Sequence, residues 1–489
     1  MTSTIGLDHP GKLFINGEWV NPSTGATLDV LNCSTEAVVA TVGEAGVLDI
    51  ERAVGAAREA FDHGSWPRLQ PAERARVLER IAQRFEALND QFARIWSIES
   101  GIVYKVAQPR LGVFLSAAFR QYADMAATYP FIERHKSATG NLAYKVQEAV
   151  GVVAAIIPWN GPAGLMAYKV APALLAGCTV VIKSSPEAPC SALLFAQICD
   201  EVGLPPGVVN VVTADRDASI ALVADPRVDK VTFTGSTAAG RAIGAACAQR
   251  VARVTLELGG KSAALILDDY DIEQAAKTLG NAFFGYLSGQ VCHSLTRIIV
   301  PQHKHDQMVD ALSAIARGMV LGDPFHEATT AGPLANARQR DTVEQYVRIG
   351  QQEGATLAAG GRRPYGLDRG FFFEPTVFGN VDNAARIAQE EIFGPVLSVI
   401  PAASEEDAIA MANHSIFGLN ASVFTHDPDK ALHVARQLRS GTVGHNGPRT
   451  DFSLGFGGFK QSGIGREGGP QGLEAFLESK VVVMDQAFQ

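Results

Sequence analysis

The sequence predicts an α/β protein: a Rossmann-type, doubly wound parallel sheet, a second α/β domain and a β arm. Three observations carry that expectation. From about Val150 onward, short apolar runs alternate with helical stretches, the pattern of a parallel sheet covered by helices. After Gly260 the alternation restarts. Two extended segments, 141–150 and 481–484, belong to neither series. At 489 residues the chain has room for two or three domains and needs no disulfide or metal staple.

The elements follow in order. LFINGEWV at 13–20 is a short hairpin with Asn16-Gly17 at its turn. Pro71 stands where a first helical residue belongs, and Val77, Leu78, Ile81, Phe85 and Leu88 then form one apolar stripe. The runs 151–157, 179–183, 208–212, 228–233 and 253–256 are strands, with Gly177 and Gly203 at helix C-caps between them. In such a sheet, ligands bind at the strand C-termini. The second series has a strand at 263–267, a helix near 272–284, a strand at 297–300 and another helix. The terminal VVVM at 481–484 is an edge hazard unless paired, which predicts subunit contacts there. There is no internal repeat.

Composition narrows the function. Apolar residues make up 47% and charged residues 19%, which is globular usage rather than disorder or coiled coil. A net charge of −9 without a basic stripe argues against nucleic acid. The six cysteines show neither CxxC nor zinc spacing, so no metal site is expected. The first twelve residues lack the basic and apolar blocks of a signal peptide. Between Glu148 and Lys183 the only charge is Lys169, yet Pro158, Pro162 and Pro172 with Asn160 make a membrane span a poor reading. A reduced cytoplasmic protein is expected.

Several residues can carry chemistry. Gly235 to Gly240 (GSTAAG) follows a strand and opens a helix, where backbone N–H groups favour a phosphate; an ordinary βα turn is the plainer alternative. It is not GxGxxG, and Gly260-Lys261-Ser262 is not a Walker loop, because Thr255 occupies its first glycine position. Cys292, after Gly289-Gln290-Val291, is either an inert core thiol or a nucleophile with a lowered pKa. Adjacent His293 does not make a Cys–His dyad by adjacency, since neighbouring side chains usually point apart. Glu257 ends a strand where ligands bind and suits a general base, unless it is a surface turn residue. Asn160 can donate to an oxyanion or form an Asx turn. His303 and His305 lie in a polar stretch expected to be solvated.

Order turns these signals into an identification. PWN at 158–160, GST at 235–237, ELGGKS at 257–262, GQVC at 289–292, EEIFGPV at 390–396 and FGGFKQSGIGRE at 456–467 resemble the successive signatures of the aldehyde dehydrogenase superfamily. The likeness runs from LFINGEWV to LESKVV, essentially the whole chain. It implies a cytoplasmic homodimer or homotetramer that oxidises an aldehyde with NAD or NADP, has no nucleic-acid or membrane partner, and holds no metal. It implies a dinucleotide-binding domain from 1–127 and 150–259, a catalytic domain at 260–461, and an oligomerisation arm from 128–149 and 476–489. Cys292 would be the nucleophile, Asn160 and the Cys292 N–H the oxyanion donors, and Glu257 the base that hydrolyses the thioester. Lys169 and Glu467 would support the oxyanion side and relay protons. Ile157, Trp159, Lys183, Gly235, Ser236, Gly240, Leu258, Glu391 and Phe393 would hold the cofactor.

Departures from the family pattern matter as well. Pro186 stands where NAD-preferring relatives often have Glu, with Glu187 beside it, and Thr213-Ala214-Asp215-Arg216 replaces a Gly-rich turn. A missing carboxylate tolerates a 2′-phosphate. His293 and Ser294 follow the nucleophile where small apolar residues are commoner. Gly161 and Gly164 stand where the tunnel helix often has large side chains, leaving Leu165, Tyr168, Tyr286, Val291 and Phe456 as an apolar lining with Gly164 among them. Arg449 is the one cation near enough to consider. A wide apolar tunnel predicts a bulky hydrophobic aldehyde, and the 214–216, 444–446 and 456–470 segments resemble bacterial enzymes acting on terpenoid aldehydes such as geranial. The alternatives are a general aliphatic or aromatic aldehyde dehydrogenase, a CoA-acylating relative (disfavoured by Glu257), an inactive scaffold on this fold, and a Cys–His hydrolase.

Overall fold

The computed structural model describes residues 5–488; residues 1–4 and 489, the outermost parts of the expected domain and arm, lie outside it. Two large sheets organise the rest. The first has eight strands in the order Gly463–Ile464, Arg253–Glu257, Lys230–Thr234, Val152–Ile156, Thr179–Ser184, Val209–Thr213, Leu13–Ile15 and Glu18–Val20. Its five central strands are parallel, and the outer ones antiparallel. From Val152–Ile156 the chain steps outward one way through 179–184 to 209–213, then crosses back to lay 230–234 and 253–257 on the other side. The order therefore reverses between 152–156 and 230–234, which is where a ligand cleft opens in such sheets.

These strands form because both faces are covered. Val152–Ile156 (VVAAI) and Val209–Thr213 are buried at every position, the reading expected of parallel strands between helical layers. The helix Pro162–Ala176 starts with Pro at its first position and ends at Gly177, whose φ of +98° is easy only for glycine. It is apolar nearly all round and almost wholly buried, which explains the uncharged stretch without a membrane. Among the described residues no helix is long and apolar enough to cross one.

The second sheet has seven strands in the order Thr356–Ala359, Thr376–Gly379, Val396–Ala402, Leu295–Pro301, Ser262–Ile266, Asn420–Phe424 and Thr442–His445. All run parallel except the 356–359 edge. A third, three-stranded sheet is made by Ile132–Lys136, Asn141–Ala149 and Leu477–Ala487. The terminal strand is longer than the apolar VVVM suggested: eleven residues, paired antiparallel along 141–149. After the second sheet the chain returns, and Gly463–Ile464 pairs with Arg253–Glu257 at the edge of the first.

Candidate active site

The C-terminal ends of the first sheet's strands face the N-terminal ends of the second sheet's. Gly260 sits at the junction, where an added Cβ would lie 2.3 Å from the Cys292 carbonyl oxygen. The approach requires glycine, and it sets the loop before Leu295–Pro301 against the loop after Arg253–Glu257.

Cys292 is held by an unusual stretch of backbone. Leu287, Ser288 and Gly289 have φ of +52°, +49° and +75° in succession, a strain that neighbours must sustain. Gln290, fully buried, supplies the ties: Nε2 donates to Leu287 O at 2.9 Å, and Oε1 accepts from Ala335 N at 2.9 Å. Its backbone oxygen accepts from Asn160 Nδ2 at 3.0 Å. One N–H of the Asn160 amide is thereby fixed, leaving the other free to donate. Cys292 is half-buried, whereas the other five cysteines are buried. Its thiol is not lowered, against the sequence expectation. Burial pushes it up, Glu391 and Glu257 add to the effect, and among the described residues no cation offsets them. Nor do Cys292 and His293 point apart: Sγ lies 3.9 Å from His293 Nδ1.

Glu257 is not a surface turn residue. It is 3% exposed, and neither carboxylate oxygen has a hydrogen-bond partner. Burial raises its carboxyl well above the usual range, with Glu467 adding to this and Lys169 and Arg466 opposing it. An added Cβ at Gly457 would lie 2.7 Å from Glu257 Oε1, so FGG at 456–458 leaves the space that this carboxylate fills. Below it, Lys169 forms a close ion pair with Glu467 and donates to Thr234 Oγ1 at 2.7 Å. Thr232 Oγ1 donates to Glu467 Oε1 at 3.3 Å. Phe456 and Glu467 exchange backbone hydrogen bonds of 2.6 and 2.7 Å, which ties the ion pair to the aromatic wall.

The remaining polar positions line the switch-point cleft. Ser236 caps Thr237–Gln249, its Oγ accepting from Ala239 N at 3.3 Å. Gly235 N donates to Glu257 O at 3.0 Å. Gly240 packs so tightly on Leu258 that a Cβ would come within 2.3 Å of Cδ2. Ile157 N donates to Lys183 O at 2.9 Å, joining two strand ends. Burial lowers the Lys183 ammonium, while Glu187 and Asp215 support its charge. Glu391 Oε1 accepts from Gly260 N at 3.0 Å, and burial pushes its carboxyl up to about 7. Phe393, at φ +58°, meets the Trp159 ring edge-on with centroids 5.3 Å apart. A 13-residue helix that begins just after Gly235 and Ser236, at the C-terminal end of a parallel strand, fits a dinucleotide phosphate.

On the other side of Cys292 the rings form a column. Phe456 stacks on Phe452 at 4.6 Å, Phe452 on Tyr168 at 4.4 Å, and Phe114 packs against Tyr168 at 5.4 Å. His293 meets Phe456 edge-on at 5.8 Å. There is less room at Gly164 than the sequence suggests, because an added Cβ there would lie 3.0 Å from Phe114 Cε1; the space left by glycine is occupied by a ring from another helix. Gly161 does stay open, with nothing nearer than 3.9 Å. Leu165 and Val291 are half-buried nearby, and Tyr286 is 40% exposed against Trp96. Arg449 is exposed and turns back to His445 O at 2.9 Å.

His305 departs from its expected solvated state: it is buried and its Nε2 accepts from Asn380 N at 2.9 Å, whereas His303 is exposed beside Asp268. Four further side chains belong to the site. Trp96 Nε1 donates to Asn160 O at 2.7 Å, and Ser100 Oγ to Trp159 O at 2.6 Å. Phe114 and Phe452 complete the ring column. None stands in a motif, and Trp96 and Phe114 lie on helical apolar stripes indistinguishable from core.

The sequence model described as the Aldehyde dehydrogenase family matches residues 19–482. The chain is 42% identical over 478 residues to the geranial dehydrogenase of Castellaniella defragrans, covering 98% of this chain and 99% of that protein. It is 43% identical to the 3-succinoylsemialdehyde-pyridine dehydrogenase of a Pseudomonas species, over 96% of this chain and 98% of that one. A Mycobacterium tuberculosis aldehyde dehydrogenase complexed with NAD+ superposes with a TM-score of 0.95 at 42% identity, covering 98% and 99% of the two chains. A mutant of aldehyde dehydrogenase C from Pseudomonas syringae, in complex with NAD+ and octanal, superposes with a TM-score of 0.94 at 39% identity over 99% of each chain.

Proposed function

The chain belongs to the aldehyde dehydrogenase family, and from that premise we propose that it oxidises a bulky hydrophobic aldehyde, a monoterpenoid such as geranial, to the acid. It is an NAD-dependent enzyme. NAD, when bound, accepts the hydride. Ser236 with Gly235 would hold its pyrophosphate and Lys183 its adenosine ribose, while Gly240 lets the helix pack closely on Leu258 beside them. Glu391 holds the nicotinamide ribose, with Ile157, Trp159, Leu258 and Phe393 packed around it. Pro186 stands where NAD-preferring relatives often have Glu, and Glu187 beside it is engaged in an ion pair of 2.6 Å with Arg338, so use of NADP beside NAD is part of this reading. We divide the chain into a dinucleotide-binding domain (1–127 and 150–259), a catalytic domain (260–461) and an arm (128–149 and 476–489) through which it oligomerises. Six free cysteines support a cytoplasmic setting.

The geometry supports the following roles. Cys292 attacks the carbonyl carbon, and the free N–H of Asn160 Nδ2 and the Cys292 N–H stabilise the oxyanion. Hydride loss leaves a thioester on Cys292. Glu257, with both oxygens unpartnered, takes a proton from the water that attacks it. Lys169 and Glu467 stabilise charge on that side and move the proton away, through the Glu467 oxygen that has no partner.

The column Phe456–Phe452–Tyr168–Phe114 carries the substrate reading. Rings reward apolar bulk, at ~0.8 kcal/mol per buried methylene, roughly fourfold in affinity. A general aliphatic aldehyde dehydrogenase is the second reading, supported by the octanal bound in the Pseudomonas syringae relative. The test is kcat/KM for geranial or citral against octanal, acetaldehyde, betaine aldehyde and succinic semialdehyde. Geranial is expected to exceed all four. Preference for octanal or acetaldehyde selects the second reading, and preference for betaine aldehyde or succinic semialdehyde contradicts both.

A further inference from the structure

The His293 ring touches the Cys292 sulfur, and the roles above give it no task. Its Nδ1 lies 3.9 Å from Sγ, and Phe456 fixes the ring edge-on at 5.8 Å. Its backbone is pinned by Asn420 Nδ2, which donates to His293 O at 3.2 Å. Neither ring nitrogen has another partner among the described residues, and no carboxylate pairs with the ring. Burial without an acid beside it pushes the imidazole down to about 4, so it is neutral near pH 7. A neutral imidazole has one donor and one acceptor nitrogen. Burial favours the protonated thiol, and an S–H facing Nδ1 at this contact goes with the tautomer that carries its proton on Nε2. His293 is half-buried and Nε2 has no protein partner among the described residues, so the relay takes water as its acceptor.

We propose that His293 activates Cys292 by passing the thiol proton through a ring that never becomes charged. The proton moves from Sγ to Nδ1 while the Nε2 proton moves to water. The S–H electron pair stays on sulfur and forms the C–S bond as the carbonyl π pair moves onto oxygen. The ring is left as its other neutral tautomer. After the acid leaves, the thiolate regains its proton from Nδ1 and Nε2 takes one from water. A ring too weakly basic to hold two protons can still relay one. The inference rests on Cys292 being the nucleophile.

The test is alkylation of the NAD-loaded enzyme by iodoacetamide near pH 7.5, alongside the rate of the first NADH turnover. Labelling is selective because the other cysteines are buried. His293→Ala and His293→Asn (the latter able to accept from the thiol but not to relay) are each expected to slow both rates by about tenfold or more. Millimolar imidazole should restore His293→Ala, and hydrolysis of the thioester should be unchanged. Wild-type alkylation in both variants overturns the relay, as does a loss in His293→Ala that imidazole leaves unrepaired, which assigns the ring to packing. Cys292→Ala separates the two claims: NADH formation surviving there overturns the nucleophile itself, whereas silent His293 variants beside an inactive Cys292→Ala leave it standing.

Discussion

Glu391 is the residue whose function turns most on pH. Burial holds its carboxyl at about 7, so the ionised form that would accept from ribose hydroxyls in its proposed role is lost as pH falls through that value. KM for NAD is therefore expected to rise between about pH 8 and pH 6, with kcat less affected, and Glu391→Gln should flatten the dependence. A KM that stays constant over that range in the wild type contradicts the assignment. Gly457 gives a second test. A side chain there would meet Glu257 Oε1 at 2.7 Å, so Gly457→Ala should slow thioester hydrolysis more than the first NADH turnover in rapid mixing. Cys292, Glu257 and Asn160 were legible in the sequence as residue types in ordered motifs. Their protonation was not, because the thiol is pushed up first by burial in the folded site and then by carboxylates brought from positions 391 and 257. The His293 contact was hidden for the same reason, since side-chain direction follows from a loop with three left-handed residues.

At the scale of elements, strand positions read well wherever both faces are covered by helices, as in 152–156 and 179–184. The junctions between elements read poorly. Gly151 looked like the first residue of an apolar run, yet it holds φ +130°, and an added Cβ would lie 1.8 Å from Asp229 Oδ2. That carboxylate oxygen accepts from Val152 N at 2.7 Å and Arg58 Nη1 at 2.8 Å. Gly151→Ala thus combines strain with a displaced carboxylate and should cost about 2–3 kcal/mol, read as a lowered denaturation midpoint in urea. An unchanged midpoint would show that the arm and the first sheet join more loosely than this geometry requires. The tunnel helix teaches the same lesson: its glycines were visible, but Phe114, from Leu111–Thr128, fills the room at Gly164. Phe114→Ala is expected to raise kcat/KM for branched bulky aldehydes relative to octanal.

For the whole molecule, the order of motifs along the chain was the most informative reading, because it pointed to the family without any single motif being decisive. The arm completes the picture. Its sheet leaves Ile132 on one edge strand and Val481, Val483 and Met484 on the opposite one exposed at 64%, 67%, 57% and 39%, apolar edges that a second copy would cover. Light scattering at micromolar concentration should return at least a dimer, and a 51.9 kDa species would contradict the arm's proposed role. The central claim is a two-step chemistry divided between Cys292 and Glu257. Rapid mixing of geranial and NAD with the two variants, followed by NADH absorbance, tests it most directly. Cys292→Ala should form no NADH at all, and Glu257→Gln should give a single-turnover burst followed by near-arrest. Loss of the burst in Glu257→Gln, with a first turnover as slow as in Cys292→Ala, would contradict it.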